Sequence, residues 1–302
     1  MAEEETPGFK SGFVSLIGRP NVGKSTLLNH LLGEKIAIIS PKPQTTRNRI
    51  LGIKHLPAAQ IIFLDTPGIH RSKTMLNQSM VRTALATLQE VDMVCLLIEA
   101  DFPDHEENDW ILENMSKADK PVFLAVNKID RIPKENLLPI MERYSRKRSF
   151  EQIIPISALR GEGVDILVKE LLNLLPEGPR LFPEDMVTDL PERFLAAEMI
   201  REKVFLLTRE EIPYATAVVI DEFKEREEKN LVVIRATIQV ERDSQKGILI
   251  GGKGRMLKEI GRLAREEIEA LLGVRVFLEL WVTVEKNWRE DARALHRLGF
   301  EG

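Results

Sequence analysis

The stretch Gly18-Arg-Pro-Asn-Val-Gly-Lys24-Ser25 follows a short apolar run at residues 13–17 and precedes a segment with helical periodicity. It matches G-x-x-x-x-G-K-[ST], a loop whose backbone amides surround the α- and β-phosphates of a nucleotide. In such loops the lysine reaches the β- and γ-phosphates, and the serine hydroxyl binds Mg²⁺. A strand, this loop and a helix in that order predict an α/β domain with a phosphate site at the carboxyl edge of its sheet.

Three further motifs follow in order: Asp65-Thr-Pro-Gly68, Asn127-Lys-Ile-Asp130 and Ser157-Ala158-Leu159. Each begins where an apolar run ends, and the runs cover residues 13–17, 60–64, 92–98, 122–126 and 153–156. Strands that alternate with amphipathic helices up to about residue 175 predict a mostly parallel sheet buried on both faces. All four motifs should therefore meet at one sheet edge. A phosphate loop alone leaves ATP and GTP equally open, whereas the four motifs together select GTP.

The base is expected to be read by residues 127–130 and 157–158. The Asp130 carboxylate can accept hydrogen bonds from the ring N–H and the exocyclic amine of guanine, and adenine presents the reverse pattern at the ring position. The stem of Lys128 can lie along the base plane, and the Ala158 amide can meet the guanine carbonyl oxygen. A site that leaves buried polar groups unpaired against the wrong ligand can discriminate by about 10⁴.

The magnesium side of the site involves two segments. Asp65 ends a predicted strand and is placed to hold Mg²⁺ through water, and the Gly68 amide can then sense the γ-phosphate. Residues 40–48 form a polar, proline-marked segment typical of a switch loop, with a threonine for Mg²⁺ and the γ-phosphate. Thr46 is the predicted ligand, and Thr45 is the alternative that the sequence leaves open.

Intrinsic hydrolysis is expected to be slow or to use another device, because Ile69 follows the Asp-Thr-Pro-Gly motif where many signalling GTPases carry a water-orienting glutamine. The predicted catalytic residues are Lys24, Thr46, Gly68 and Asn21, and the predicted Mg²⁺ ligands are Ser25, Thr46 and Asp65. The predicted GTP-binding residues are Gly18, Asn21, Val22, Gly23, Lys24, Ser25, Thr26, Asp65, Gly68, Asn127, Lys128, Asp130, Ser157, Ala158 and Leu159.

A second domain is indicated beyond four prolines, at positions 176, 179, 183 and 191. Proline at this density cannot continue a helix and predicts a linker. The expected limits are residues 1–176 for the GTPase domain, 177–191 for the linker and 192–302 for an α+β domain with a C-terminal tail. Its predicted order is a helix (about 191–209), strands at 216–223 and 231–240, two helices around a glycine loop, and a last strand (about 274–284).

The glycine loop Gly251-Gly252-Lys253-Gly254 matches the G-x-x-G device with which KH domains hold about four nucleotides of single-stranded nucleic acid. The motif alone also fits a helix cap, and the order of the surrounding elements favours the KH interpretation. The expected RNA contacts are Lys246, Ile250, Gly251, Gly252, Lys253, Gly254, Arg255 and Lys258.

Composition limits the remaining function classes. The net charge of −4 over 302 residues argues against a basic nucleic-acid-packaging protein, so any RNA site must be local. The single cysteine, Cys95, cannot form an internal disulfide, which suits a reducing cytoplasm. Apolar runs of six to eight residues are far shorter than the roughly 20 needed to cross a bilayer. The five histidines show no metal-binding spacing, so no zinc site is expected.

With these motifs the chain resembles the Era-like GTPase family, bacterial P-loop GTPases with a C-terminal type II KH domain. The resemblance covers nearly the whole length, including Pro43-Gln-Thr-Thr-Arg47 and Ser244-Gln-Lys-Gly247. It implies GTP or GDP with Mg²⁺ as ligands, and binding to the 3′ end of 16S rRNA rather than to DNA. It also implies a role in 30S subunit assembly, and a cytoplasmic location with peripheral contact at the inner face of the membrane. In related GTPases an asparagine at the position of Asn21 helps to hold K⁺.

Two other functions stay in view. In the first, the chain is a passive RNA-binding assembly factor whose nucleotide site is structural; Ile69 favours this, and the intact motif residues oppose it. In the second, it is a tRNA-modifying GTPase. Such enzymes carry other domains and often a terminal reactive cysteine, whereas residues 298–302 read Leu-Gly-Phe-Glu-Gly.

Overall fold

The computed structural model describes residues 8–71, 74–115 and 119–300, so the chain end quoted above is described only as far as Phe300. The chain divides into two compact units. The first holds most of the chain up to Asp189. The second holds Leu190 onward together with two short segments from the first half, Ile38–Thr45 and Thr74–Ser79.

The first unit is built on a six-stranded sheet in the order β2-β3-β1-β4-β5-β6. Every strand pair is parallel except β2 with β3, which is antiparallel. The mostly parallel sheet and its five predicted strands are confirmed, whereas β2 was not predicted. The strands are β1 (Lys10–Ile17), β2 (Ile50–Leu56), β3 (Ala59–Asp65), β4 (Met93–Glu99), β5 (Val122–Asn127) and β6 (Gln152–Pro155).

The described residues of this unit also form five helices, four between strands and the last after β6: α1 (Lys24–Leu32), α2 (Met75–Glu90), α3 (Glu106–Met115), α4 (Leu137–Lys147) and α5 (Val164–Leu174). Every residue of β3, β4 and β5 is buried, which explains their nearly continuous apolar sequences. The charged or amide residues Asp65, Glu99 and Asn127 are the last residues of these three strands. The sheet therefore places polar side chains at one edge.

The proline-rich segment is attached to the first unit. The Ile53 amide donates to the Val187 carbonyl at 2.8 Å, and the Thr188 hydroxyl donates to the Leu51 carbonyl at 2.6 Å. The Gln60 Oε1 atom accepts from the amides of Leu181 and Phe182 at 2.9 and 3.0 Å. Strands β2 and β3 thus hold a segment that its composition predicted as a linker.

The second unit is an α+β domain with a three-stranded sheet in the order β7-β8-β9, in which β7 is antiparallel and β9 parallel to β8. The predicted order of helix, two strands, two helices and strand is confirmed. Helices α6 and α8 pack together around a core that includes Ile200, Ile234 and Ile260, all fully buried. The elements are α6 (Glu192–Leu207), β7 (Ala217–Arg226), β8 (Leu231–Val240), α7 (Asp243–Ile250), α8 (Arg255–Leu272), β9 (Arg275–Val284) and α9 (Ala292–Arg297).

Candidate guanine-nucleotide and RNA sites

The phosphate loop, residues 18–25, links the end of β1 to the start of α1. Gly23 precedes the helix with φ of 100°, a conformation that L side chains rarely adopt. A Cβ at this position would lie 2.3 Å from the Asn127 Nδ2 atom, so a side chain predicted to read the base meets the phosphate loop here. The amides at the start of α1 are therefore available to an anion, as the motif requires.

Lys24 is held inside the phosphate loop. Its side chain is buried, and its Nζ atom donates to the carbonyls of Gly18 and Arg19 at 3.1 and 3.0 Å. Burial lowers the pKa of Lys24 to about 8, and the nearby Asp65 carboxylate offsets part of this effect. A phosphate bound next to a lysine in this environment stabilises its charged form and so raises its pKa.

Three predicted metal ligands lie together. The Ser25 hydroxyl donates to Asp65 Oδ2 at 2.7 Å and lies 2.8 Å from the Thr46 hydroxyl, which donates to the same carboxylate oxygen at 3.3 Å. Asp65 Oδ1 is buried and has no hydrogen-bond partner among the described residues. Burial raises the pKa of Asp65. Two hydroxyls and a desolvated carboxylate with an unused oxygen fit a hard cation such as Mg²⁺.

The two neighbouring threonines have different partners. The Thr46 hydroxyl faces Ser25 and Asp65, whereas the Thr45 hydroxyl donates to the Lys42 carbonyl at 2.9 Å and closes a local turn. Of the two hydroxyls that the sequence left open, the structure therefore brings Thr46 to the other predicted metal ligands.

The segment after Asp65 contacts the phosphate loop. The Ile69 amide donates to the Gly18 carbonyl at 3.1 Å, and a Cβ on Gly68 would lie 2.5 Å from the Pro20 nitrogen. The side chain of Ile69 is fully buried in the hydrophobic core. Ile69 therefore serves packing and offers no group that could orient water.

The residues predicted to read the base form a second hydrogen-bonded network. Asn127 donates through Nδ2 to the Val22 carbonyl at 2.7 Å and accepts through Oδ1 from the Ala158 amide at 2.9 Å. Asp130 Oδ1 accepts from the Ser157 hydroxyl at 2.6 Å, and this bond holds the pKa of Asp130 below its usual value. The network orients an ionised carboxylate, whose second oxygen lies 4.0 Å from the Nε atom of the exposed Arg160.

The other predicted contacts differ in exposure. Val22 is fully buried, Thr26 is half-buried in the first turn of α1, and Asn21 is exposed with φ of 65°. Leu159 is 75% exposed, so its side chain adds little to the network, although it follows Ala158 directly.

Sequence reasoning missed a group of three buried polar residues beside this site: Arg19, Glu99 and Asn108. Arg19 occupies a variable position of the phosphate-loop motif, and Asn108 lies in a helix without any motif. Glu99 could have been found, because it ends an apolar strand at the same sheet edge as Asp65 and Asn127.

In the second unit the G-x-x-G loop, residues 251–254, joins α7 to α8. Gly251 has φ of 67° and ψ of 171°, a combination nearly restricted to glycine, and a Cβ there would lie 2.8 Å from the Met256 Cβ.

The predicted RNA contacts differ in exposure. Gly252 and Lys253 are exposed, as are Arg255 and Lys258 on the first turn of α8. Lys246 and Ile250 on α7 are half-buried. The loop thus offers exposed backbone and positive charge beside a helix N-terminus.

The docked segment, Ile38–Thr45, belongs to the second unit and is held by α6. The Ile39 amide donates to Glu202 Oε1 at 2.9 Å, and Arg201 Nη2 donates to the Thr45 carbonyl at 2.5 Å. The Lys42 ammonium donates to the carbonyls of Phe205 and Thr208. Arg201 and Glu202 are almost completely buried. The first helix of the second unit therefore fixes the residues that lead directly into Thr46.

Two negative findings concern the described part of the chain. Within residues 8–71, 74–115 and 119–300, no group of three histidine, cysteine, aspartate or glutamate side chains could hold a metal ion. In the same ranges no helix is long and apolar enough to cross a membrane.

Comparison with known families and proteins matches both units. Residues 13–128 match the family described as 50S ribosome-binding GTPase, and residues 211–289 match the KH domain. The chain is 58% identical to GTPase Era of Geobacter metallireducens over 97% of this chain and 98% of that protein. It is 57% identical to GTPase Era of Syntrophus aciditrophicus over 97% of this chain and 95% of that protein.

Two solved structures are similar over nearly the whole chain. One is a single-residue variant of Aquifex aeolicus Era bound to GDP.AlF4⁻, and the other is Era in complex with MgGDPNP and nucleotides 1506–1542 of 16S ribosomal RNA. Each has a TM-score of 0.95 and 49% identity, and each match covers 97% of this chain and 100% of the other.

Proposed function

Because the chain belongs to the Era family of GTPases, we propose that it is a GTP-hydrolysing switch that binds the 3′ end of 16S rRNA. In this role it acts in rRNA maturation and in assembly of the 30S ribosomal subunit. The observation that carries the proposal is that one chain holds both a buried guanine-nucleotide site and an exposed G-x-x-G loop. A relative that is 49% identical has been solved with MgGDPNP and 16S rRNA nucleotides together.

In the proposed reaction, water attacks the γ-phosphate of GTP and releases GDP and phosphate. Bound Mg²⁺ would neutralise charge on the β- and γ-phosphates. Ser25, Thr46 and Asp65 are the residues that would hold it, with Thr46 rather than Thr45 as the threonine ligand. Lys24 supplies a positive charge within a buried site, where water screens it little, and the Gly68 amide is the group proposed to sense the γ-phosphate.

Slow intrinsic turnover is part of the proposal, because the buried Ile69 cannot orient water. Asn21 is the residue proposed to hold K⁺ beside the phosphates, where a second cation would stabilise developing charge. Turnover measured in potassium and in sodium salts at equal ionic strength tests this assignment. Faster turnover in potassium, abolished by Asn21→Ala, supports it, and equal rates contradict it.

The docked segment supports coupling between the two sites. Arg201 and Glu202 of α6 hold residues 38–45, and Thr46 follows immediately in the chain. A nucleotide that engages Thr46 therefore competes with or reinforces the contacts of α6, the first helix of the RNA-binding unit. Because the competing arrangements differ in their contacts, GTP and GDP can favour different states of that unit.

The rate of GTP hydrolysis distinguishes the proposed switch from the alternative, a passive RNA-binding factor. GTP hydrolysis is measured at saturating Mg²⁺, with and without a single-stranded RNA that copies the 3′ end of 16S rRNA, and Lys24→Ala serves as the inactive control. Turnover above that control, stimulated by the RNA, supports the switch. Turnover equal to the control in both conditions supports the passive factor.

The cellular location is proposed as the cytoplasm, with peripheral contact at the inner face of the membrane. The single buried thiol suits a reducing compartment. Cell fractionation at low and high salt tests this proposal. If the protein is recovered with the membranes at low salt but not at high salt, peripheral contact is supported. If it is recovered only in the cytoplasmic fraction, the proposed membrane contact is contradicted.

A further inference from the structure

One carboxylate connects the two halves of the nucleotide site. Glu99 ends β4 and is 8% exposed. Its Oε2 atom accepts from Arg19 Nη2 at 2.8 Å, and its Oε1 atom pairs with the Lys128 ammonium. Arg19 belongs to the phosphate loop and Lys128 to the base-reading motif. The same side chain thus contacts a cation from each.

Arg19 is fixed from a second side, so its guanidinium is committed to structure rather than to a ligand. Its Nε atom donates to Asn108 Oδ1 at 3.1 Å. Asn108 donates in turn to the Pro103 carbonyl and to the Tyr144 hydroxyl oxygen, each at 3.0 Å. Arg19, Asn108 and Tyr144 are all buried.

The position of Arg19 matters for the phosphate-binding lysine, because the Arg19 carbonyl accepts from Lys24 Nζ at 3.0 Å. Glu99 therefore acts on Lys24 through Arg19. On the other side, Lys128 adopts φ of 66° before a short helical turn at Ile129–Arg131. Its ion pair with Glu99 limits the conformations of the long stem that must lie along the base.

We propose that Glu99 is a positioning residue for guanine-nucleotide binding. It fixes the position of the Lys24 side chain indirectly, through Arg19, and that of the Lys128 side chain directly. The inference rests on the guanine-nucleotide function proposed above. Glutamate suits the role because a single buried carboxylate has two oxygens for two cations. Removing its charge leaves the buried Arg19 and the half-buried Lys128 without the carboxylate that they share, which is more costly than breaking a surface ion pair.

The test compares Glu99→Gln with Glu90→Gln in the full-length chain. Glu90 is the matched control, because it pairs with Arg49 at 2.6 Å but is well exposed. The dissociation constants of fluorescent GDP and IDP are measured for the folded proteins, together with melting temperatures with and without GDP. We expect Glu99→Gln to weaken GDP binding by about tenfold or more, as for loss of a charge-assisted hydrogen bond. Glu90→Gln should stay within about twofold.

The ratio of IDP to GDP affinity distinguishes positioning from collapse of the site. IDP lacks the exocyclic amine that Asp130 reads, whereas Lys128 lies along the base in both nucleotides. Glu99→Gln should therefore weaken both ligands by a similar factor. In a Lys128→Met background, Glu99→Gln should weaken GDP binding by a smaller factor. The contact of Glu99 with Lys128 is already lost there, and only its contact with Arg19 remains to be removed.

Unchanged GDP affinity for folded Glu99→Gln, with only a lower melting temperature, would overturn the inference and make Glu99 structural. If Glu99→Gln does not fold, the GDP affinity of Glu99→Asp tests the positioning role instead, because aspartate keeps the charge but is one methylene shorter. Weaker GDP binding by Glu99→Asp supports positioning, and wild-type affinity contradicts it. Failure of the wild-type chain to bind GDP would instead overturn the proposed function.

Discussion

The nucleotide site and the proposed RNA site at the G-x-x-G loop are built from different parts of the polypeptide. In the nucleotide site, Lys24, Asp65 and Asn127 are buried, and each forms a hydrogen bond with another residue of the phosphate loop, residues 18–25. In the G-x-x-G loop and the first turn of α8, Lys253, Arg255 and Lys258 are exposed, and the loop shape comes from backbone angles. A site built from buried side chains can select one base, whereas one built from backbone and exposed charge holds a phosphate chain.

This contrast has an energetic consequence. A buried polar group that loses its partner costs its full desolvation penalty, so single substitutions in the nucleotide site should have large effects. Exposed cations attract a ligand through water and are screened by salt. Neutralising one cation beside the G-x-x-G loop should therefore have a small effect on RNA affinity, and such effects should be additive. The following predictions test that difference.

The largest effect is expected from Asp130→Asn. The asparagine amide would face donors on guanine, and the expected loss of GDP affinity is about 10³- to 10⁴-fold. Xanthosine diphosphate, which presents an acceptor where guanine has its amine, should bind the variant better than GDP. Asp104→Asn is the control, because that carboxylate is exposed and pairs with the exposed Arg143. Retained GDP affinity in Asp130→Asn would show that another residue reads the base.

Gly251→Ala should have the largest effect in the second unit. A Cβ at this position meets Met256, and the backbone angles are nearly restricted to glycine, so we expect a loss of about 1–3 kcal/mol in the free energy of unfolding. At Gly252 the nearest atom to an added Cβ is the flexible end of Arg255 at 3.5 Å, so Gly252→Ala should be nearly neutral. Denaturant unfolding of both variants checks this pair. Equal stabilities would contradict backbone control of the loop.

Affinity for GDP should fall as pH rises above about 8. In the free protein the pKa of Lys24 is about 8, and a bound phosphate raises it, so binding above that pH requires uptake of a proton. Below pH 8 the lysine is already charged, and the affinity should be constant as far as Lys24 is concerned. The expected loss is up to about tenfold per pH unit. Calorimetry in buffers of different ionisation enthalpy measures the uptake, and Lys24→Arg, which stays charged, should remove it.

The smallest effects are expected from neutralising single cations near the G-x-x-G loop. Lys253→Gln, Arg255→Gln and Lys258→Gln should each weaken RNA binding several-fold, and each should reduce the slope of log affinity against log salt by about 0.7. GDP affinity should not change. A loss of RNA binding as large as that of Asp130→Asn for GDP would mean that the loop uses a cation for specific recognition.

The nucleotide site could largely be located from sequence, because chain order and strand ends determine where its residues meet. Asp65 and Asn127 each end a buried parallel strand, and such ends share one sheet edge. The same rule applied to Glu99 would have found the third polar strand end. Strand β2 was missed because its antiparallel pairing with β3 follows from a tight turn rather than from the strand-helix alternation.

The placement of residues 38–45 could not be predicted from sequence. Their partners on α6 lie far away in the chain: the separation between Ile39 and Glu202 is 163 residues. Neither Arg201 nor Glu202 belongs to a sequence motif. Residues 199–205 of α6 are buried on all sides of the helix, and this burial only becomes visible when the second unit is assembled. Sequence patterns report local periodicity, whereas this contact depends on tertiary packing.

The central claim, that one chain couples the two sites, is tested most directly by RNA affinity in two nucleotide states. A single-stranded RNA copying the 3′ end of 16S rRNA is titrated into protein loaded with Mg²⁺ and a non-hydrolysable GTP analogue, and into protein loaded with GDP. If the two sites are coupled, RNA binds more tightly in the GTP-analogue state, and by linkage the RNA must strengthen analogue binding relative to GDP by the same factor. Equal RNA affinities in the two states would contradict the coupling and leave two independent activities on one chain.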